Sequence, residues 1–522
     1  MANEKGKSIY YTTAIDYVNG RPHLGHAYEK VMTDVLVRFQ RQRGRKTYFL
    51  TGTDEHGQKV QQSAEKQGRS TEAFCDEMSG HFRTLYDKLG VSYDDFVRTT
   101  QDRHKQVVRD VLTKLYDKEE IYAADYEGYY STRQEQFLQE KDRVDGKFPD
   151  DFGEVVHLKE KNYFFKLSQY QDWLVKHLQD NPDWIFPSFR TKEVLGALDK
   201  PIPDLCISRP KARLEWGIPL PFDEEQVTYV WFDALLNYIS VIGYGTDSFT
   251  EKWPGRHVIG KDIMVPAHAI YWPIMLKASG VELPEQLIVH GWWTQRKEKM
   301  SKSVGNVVDP LDVIQVYGVD AFRYFVMREM ALGHDADFTP EQFHQRYESE
   351  LAGNVGNLLN RSVSMMKRYR KQQIPQLVAD VRTELDDDLE AKVIEAVVTY
   401  REHMEKYAVH TGLTELWRGF QRTNQYVEEN APWKLAKDEA QSLRLDYVLG
   451  QLVRAQTLLL SELAAVMPHA SSMALTQLGQ TGVTAQLGDA VKWPVELEGH
   501  EVGSPEPLFP RVELEEGASA SS

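Results

Sequence analysis

Residues 8–53 alternate in a way that few folds accommodate. SIYYTTAI (8–15) is β-branched and aromatic, the composition of a buried strand. DYVNGRP (16–22) interrupts it with Asn19-Gly20 and Pro22. HLGHAYEKVMTDVLVRFQRQRG (23–44) then sets apolar residues at 24, 28, 31, 35 and 39, the period of a helix, and Gly44 suits its carboxyl-terminal cap. KTYFLTGT (46–53) is a second strand. Strand, turn, helix, strand is the opening of a βαβ unit, which commits this part of the chain to a parallel sheet. The alternation returns in RHVIGKD (256–262), a helix around 266–279, and QLIVHGWW (286–293). The pattern predicts an α/β core with a parallel sheet broken by an insertion.

The interruption, about 117–225, is rich in Tyr, Gln, Asp and Lys, with prolines crowded between 182 and 221. From about 340 Gly and Pro thin out and segments of helical period follow, the texture of an α-helical bundle. LVRAQTLLLSELAAVM (452–467) carries Arg454 and Glu462, so it reads as a buried helix rather than a membrane span. The 522 residues suit about three or four domains. The charged amino terminus, MANEKGKSIYYTTA, lacks the apolar stretch of a signal peptide. Two cysteines, Cys75 and Cys206, exclude a disulfide framework and a four-Cys zinc site. A reducing cytoplasm and no membrane association are expected. The net charge of −16 argues against a broadly basic nucleic-acid coat, but affinity follows the contacting surface. RKEKMSK (296–302) and RSVSMMKRYRK (361–371) are local basic features.

Two motifs carry chemistry. Pro22-His23-Leu24-Gly25-His26 opens the first helix. A helix amino terminus offers unpaired N–H groups and partial positive charge, which suit a triphosphate. Two histidines three positions apart on its first turn share a face and can donate to phosphate oxygens as charge builds. Gly25 leaves room for a nucleotide base near the backbone. The bland alternative is a surface histidine pair. Lys299-Met300-Ser301-Lys302-Ser303, followed by Val304-Gly305-Asn306, is a cationic loop able to neutralise β- and γ-phosphates without a Walker A sequence. Its bland alternative is a solvated basic loop. Both motifs are expected at the carboxyl edge of a parallel sheet, where open α/β folds bind ligands.

This pairing resembles the HIGH and KMSKS signatures of the class I aminoacyl-tRNA synthetases, with Leu24 at the Ile position. AIDYVNGRPHLGH (14–26), TGTDEHGQKV (51–60), YVWFDALLNY (229–238), IGKDI (259–263), GNLLNR (356–361), NAPWKLAK (430–437) and LFPRVE (508–513) narrow the resemblance to the methionyl-tRNA synthetases. The leucyl, isoleucyl and valyl enzymes carry an editing insertion too large for this chain. A nucleotidyltransferase with a small acceptor would explain the ATP site but not the helical half with NAPW. A catalytically dead paralogue that only binds RNA is the non-enzyme alternative, opposed by the intact His23, His26, Lys299 and Lys302.

The resemblance implies a Rossmann-type catalytic domain with a connective insertion, followed by an α-helical anticodon-binding bundle. The boundaries it suggests are 1–116 and 226–298 for the catalytic halves, 117–225 for the insertion, 299–350 for the KMSKS loop and stem-contact region, 351–475 for the anticodon domain, and 476–522 for a carboxyl-terminal segment packing back on the core with a frayed acidic tail. The reaction it implies is activation of methionine with ATP to methionyl-adenylate and pyrophosphate. Methionine then passes to the terminal adenosine of methionine tRNA, initiator and elongator. The carboxylate attacks phosphorus directly, so catalysis is positioning and charge stabilisation. His23, His26, Lys299 and Lys302 are the implied catalytic residues. Gly25, Gly260, Asp262, Trp293, Ser301 and Lys302 are the implied ATP contacts, with Mg2+ accompanying ATP. Ala14, Ile15, Tyr17, Asp54, Trp231, Ala234, Leu235, Tyr238, Ile263 and His268 map to the methionine pocket. Aromatic rings suit a thioether, and a carboxylate suits the ammonium. Asn357, Arg361, Pro432 and Trp433 map to anticodon contacts, suited to base edges and to stacking.

Two departures from the family pattern stand out. Between Ile263 and His268 are four residues, MVPA, where the pattern has three, so the local helix start is expected to differ. Many relatives carry zinc knuckles of paired Cys in the insertion. The corresponding YEGYYSTRQEQF (126–137) has none, and His157 and Cys206 do not make a ligand set, so no structural zinc is expected. The chain ends soon after LFPRVE, leaving no room for an appended dimerising domain, and a monomer is expected.

Overall fold

The computed structural model describes residues 7–131, 136–138, 140, 143–300, 307–480, 487–495 and 497–512. The chain divides into two compact units. One comprises Met1–Pro22, Tyr48–Asp87 and Ser92–His290; the other comprises His23–Thr47, Lys88–Val91 and Gly291–Ser522.

The first unit is built on a parallel sheet. Its strands are β1 (Ile9–Thr13), β2 (Asp16–Tyr17), β3 (Thr47–Asp54) and β4 (Asp95–Arg98). The insertion supplies β5 (Ile121–Ser131), β6 (Gln136–Leu138), β7 (Val155–Phe165), β8 (Ile185–Phe186), β9 (Leu205–Cys206), β10 (Ser208–Pro210), β11 (Pro219–Leu220) and β12 (Asp223–Thr228), before the chain returns with β13 (Arg256–Gly260) and β14 (Gln286–His290). The main sheet runs β2-β3-β1-β13-β14-β8, with β4 beside β3. The pairs β1–β13, β13–β14, β14–β8, β2–β3 and β3–β4 are parallel. The β-branched and aromatic runs of the sequence are buried on both faces: Tyr10, Tyr11, Phe49, Leu50, Val258, Ile259, Leu287 and Ile288 are all essentially inaccessible. The insertion makes its own antiparallel sheet, β6-β5-β7-β9, and a second one, β10-β12-β11.

The second unit begins with the helix Leu24–Gln42, which ends in Gly44 at φ +75°, the left-handed cap the sequence predicts. Its largest part is helical: Val319–Glu329, Asn357–Arg370, Glu384–Glu405, Val409–Asn430, Ser442–Leu463 and Pro468–Gln477. Leu389, Val393, Val397, Tyr400 and Met404 are buried on Glu384–Glu405, which packs against Val409–Asn430, where Leu413, Leu416 and Phe420 are buried in turn. The apolar stretch around 452–467 is a buried helix. Its Glu462 is fully buried, with Oε1 2.6 Å from Arg401 Nη2 and Oε2 bound to Arg43. Among the described residues no helix is long and apolar enough to cross a membrane.

One strand differs from its expected span. QLIVHGWW does not continue as a single strand: β14 stops at His290. A Cβ at Gly291 would stand 2.1 Å from the His334 carbonyl oxygen, so only glycine permits the backbone approach that ends the strand. The chain resumes in a separate small sheet of β15 (Trp293–Gln295), β16 (Glu298–Lys299) and β17 (Ala336–Phe338). The lysine loop therefore follows a hairpin rather than the sheet strand itself.

Candidate active site

In the first unit, three neighbouring parallel strands end together. β1 lies between β3 and β13, the point where strand order reverses and open α/β folds hold ligands. Ala14 and Ile15 follow β1, Asp54 closes β3, and Gly260 closes β13 with Asp262 just beyond. Tyr17 is in register with Asp54 across β2–β3. A Cβ at Gly260 would lie 2.5 Å from Asp262 Oδ1, so glycine leaves the carboxylate room to fold back over the strand end.

Trp231, Ala234 and Leu235 lie on the helix Val230–Leu235, and Tyr238 on the helix Asn237–Ser240. Leu235 and Tyr238 share one core with Ala14, and Ile15, Tyr17, Trp231 and Ile263 are its half-buried margin. The His268 ring lies edge-on to Trp231 at 6.3 Å. Its Nδ1 is 2.8 Å from the Ile263 carbonyl oxygen, so Nδ1 carries the hydrogen, and Nε2 accepts from the Tyr238 hydroxyl at 2.7 Å. Beneath Tyr238, His257 stacks at 4.1 Å. Trp272 donates to His257 Nε2 at 3.1 Å, so the hydrogen on Nδ1 goes to Thr12 Oγ1 at 2.7 Å. Burial, with His268 nearby, lowers the His257 pKa well below the usual range and keeps the ring neutral.

The four residues between Ile263 and His268 lie in a segment of unusual helix type. Met264–Tyr271 is a π-helical segment, interrupted at the extended Val265, and the His268 N–H bonds five residues back to Ile263 at 3.3 Å. In this arrangement His268 meets Tyr238.

In the second unit, His23 caps the helix Leu24–Gln42. Its Nδ1 accepts from the Gly25 N–H at 3.1 Å, while the His23 N–H donates to His26 Nδ1 at 3.1 Å. Both Nδ1 atoms are acceptors, so each neutral imidazole carries its hydrogen on Nε2. The rings are 3.9 Å apart. A Cβ on Gly25 would come within 3.0 Å of the His23 ring, a demand the sequence reading did not foresee. This capping box makes both histidines N–H donors at a helix amino terminus.

Trp293 is buried edge-on to Tyr28 at 5.8 Å, with Phe325 at 6.1 Å, and its indole nitrogen has no acceptor among the described residues. The β15–β16 hairpin turns through Arg296 (φ 51°) and Lys297 (φ 65°), both left-handed. Asp337 holds that turn, accepting from the Lys297 N–H at 2.8 Å and the Thr294 hydroxyl at 2.7 Å. Lys299 pairs with Thr294 as the last strand residue before the loop. Ser301 and Lys302 lie outside the described residues. Further along, Asn357 opens the helix Asn357–Arg370 and is exposed. Arg361, one turn on, lies 5.7 Å over the Trp433 ring and binds Glu428 at 2.6 Å. Trp433 is 36% exposed, so it is not a core aromatic, whereas Pro432 is buried and starts the helix Pro432–Leu435.

Residues 9–154 and 152–363 match the family model for class I tRNA synthetases (M), and 377–521 match the anticodon binding domain of methionyl tRNA ligase. The chain is 40% identical to the methionine–tRNA ligase of Fusobacterium nucleatum over 98% of its own length and 80% of that protein's. The Bacillus subtilis methionine–tRNA ligase is also 40% identical, over 98% and 79%. The chain belongs to the methionyl-tRNA synthetase family. Its reaction class is that of a methionine–tRNA ligase of class I. A Mycobacterium tuberculosis methionyl-tRNA synthetase, solved in complex with methionyl-adenylate, superimposes with a TM-score of 0.90 at 36% identity, covering 97% of this chain and 100% of that one.

Within this family reading, sequence reasoning gave no role to several buried polar residues of the motifs it quoted. Glu55 is fully buried, accepting from Thr53 (2.8 Å), Arg98 (2.7 Å) and Thr100 (2.6 Å). His56 and Asp233 are bonded to each other at 2.6 Å. The usable signal was Asp233 itself, a carboxylate inside the apolar run VWFDALLNYIS, which demands a buried partner.

Proposed function

We propose that the methionine–tRNA ligase reaction is carried by the two residue groups described above. Asp54 pairs with the methionine ammonium. Trp231, Tyr238 and His268, with Ala14, Ile15, Tyr17, Ala234, Leu235 and Ile263, enclose the thioether side chain. Gly260, Asp262, Trp293 and Gly25 contact the adenosine. The buried indole N–H of Trp293, without an acceptor among the described residues, supports its share. His23 and His26 donate from Nε2 to the phosphates as the methionine carboxylate attacks the α-phosphorus and pyrophosphate leaves. Lys299, Ser301 and Lys302 receive the pyrophosphate charge. No proton is abstracted from methionine's carboxylate, so no general base is assigned. Magnesium bound to ATP would supply further neutralisation of the phosphate charge. Among the described residues no group of three His, Cys, Asp or Glu side chains forms a site that would hold it independently.

In the second step, methionine passes to the terminal adenosine of initiator and elongator methionine tRNA. Asn357 and Arg361 read base edges, and Trp433 stacks on an unstacked base, seated by Pro432. The domain boundaries proposed are those of the sequence reading. The enzyme works as a cytoplasmic monomer without structural zinc. Both cysteines are free thiols, as suits a reducing compartment. His157 lies on β7, and Cys206 lies on β9 opposite Phe164 of β7, seven residues and roughly 23 Å along the strand from His157, too far to share a metal. Burial also pushes the Cys206 thiol up, away from the thiolate a metal needs.

The observation that carries the reading is the convergence of Ala14, Ile15, Asp54, Gly260 and Asp262 at the ends of three adjacent parallel strands. Methionine-dependent ATP–pyrophosphate exchange, followed by charging of both methionine tRNAs, tests it. Exchange driven by methionine alone among the amino acids is expected, and exchange without methionine dependence would overturn it.

A further inference from the structure

Behind the candidate methionine pocket runs a buried polar chain that no step of the proposed reaction uses. Asp233 is fully buried and both its oxygens are engaged: Oδ2 with His56 Nδ1 at 2.6 Å and Oδ1 with His104 Nε2 at 2.7 Å. His104, also fully buried, reaches Ser240 Oγ at 2.9 Å through Nδ1, and Ser240 donates to the Asn237 carbonyl at 3.1 Å. Each link belongs to a different segment of the pocket. His56 follows Asp54 by two residues. Asp233 follows Trp231 by two residues and adjoins Ala234. Ser240 follows Tyr238 by two residues. His104 sits at the start of the helix Asp102–Asp117 and joins the last two segments.

Deep burial of a carboxylate is costly unless fully bonded, and here each imidazole answers one oxygen. The Asp54 side of the chain is held from a second direction as well. Glu55, between Asp54 and His56, is locked by Thr53, Arg98 and Thr100, and its carbonyl accepts from Trp216 Nε1 at 2.6 Å. Gly57, at φ +112°, ends the turn with its N–H 3.3 Å from the Trp216 carbonyl. The loop bearing Asp54 is thus tied to the helix bearing Trp231 through His56 and Asp233.

We propose that the His56–Asp233–His104–Ser240 chain is the positioning device of the methionine pocket: it sets the separation between the Asp54 carboxylate and the Trp231–Tyr238 wall, and so sets the affinity for the amino acid. None of its members is among the residues assigned to substrate. The proposal rests on the assignment of Asp54, Trp231 and Tyr238 to methionine. It differs from a purely structural role in one respect. A structural defect lowers the active fraction and leaves both KM values alone, whereas a shifted pocket wall raises the KM for methionine and leaves that for ATP.

The test is ATP–pyrophosphate exchange with the full chain, normalised to the active fraction by burst titration. The wild-type enzyme first establishes methionine dependence; its absence would overturn the pocket assignment rather than the device. Asp233→Asn is then expected to raise the methionine KM roughly ten- to a hundred-fold, as a misplaced binding group does, with the ATP KM within about two-fold. His56→Leu is expected to do the same. His56→Asn, whose amide nitrogen can reach the Nδ1 position, is expected to recover most of that loss. An unchanged methionine KM in Asp233→Asn or His56→Leu, parallel rises in both KM values, or equal behaviour of His56→Leu and His56→Asn would overturn the proposal. Should Asp233→Asn fail to fold, the two His56 variants decide the matter.

Discussion

At the scale of single residues, the histidine turn does two jobs with separate atoms. Nδ1 of His23 and of His26 builds the helix cap, and Nε2 is left as the hydrogen-bearing nitrogen. Asparagine can imitate the Nδ1 acceptor but has nothing at the Nε2 position. His26→Asn is therefore expected to keep the cap, with a melting temperature close to wild type, while the activation rate falls about a hundred-fold or more, the usual cost of a lost transition-state donor. Pre-steady-state adenylate formation together with a melting curve checks both halves. Asp233 gives a pH prediction. Burial raises its pKa, but His56 and His104 outweigh burial and bring it down to about 2. The folded carboxyl titrates below the unfolded one, near 3.9, so its stabilisation is complete above that pH and is lost as pH falls toward about 2. The melting-temperature gap between wild type and Asp233→Asn should be widest above about pH 5 and narrow between about pH 4 and pH 2. A gap that grows on acidification would contradict this.

Elements show where sequence reading succeeds and where it stops. The βαβ opening, the Gly44 cap and the helical second half were legible because period and capping are local properties. The break after His290 was not, because its cause is the His334 carbonyl 43 residues away, although Gly291 inside HGWW marked a close approach. The Arg296–Lys297 turn was hidden for a related reason. Left-handed turns usually advertise themselves with Asn or Gly, and here Asp337 supplies the compensation from another strand. Of the candidate site, the motif residues were readable. The His56–Asp233–His104 chain was not, since nothing in one sequence says that positions 56, 104 and 233 meet. Two predictions belong to elements. Glu462 faces two buried guanidiniums from the helix Ser442–Leu463, so Glu462→Gln should destabilise its unit by about 3–5 kcal/mol in denaturant titrations. Trp433, exposed beside Arg361, belongs to a different element from the residues proposed for ATP and methionine. Trp433→Ala should impair tRNA charging at least ten-fold while leaving exchange intact; a matching loss of exchange would make it a folding residue.

For the whole molecule, the net charge of −16 and the binding of tRNA are reconciled by local distribution. Basic residues gather at 296–302 and 361–371, within an otherwise acidic chain, so charging should weaken steeply with salt while exchange does not. The same division of labour appears in the family matches, one model spanning the α/β part and a second the helical part. Zinc plays no part in this account, and chelator-washed protein should contain none in stoichiometric amount. The central claim is that this chain activates methionine at the ends of β1, β3 and β13. ATP–pyrophosphate exchange measured across the amino acids tests it most directly: the account predicts exchange with methionine, lost in Asp54→Ala, and exchange indifferent to methionine, or undiminished in Asp54→Ala, would contradict it.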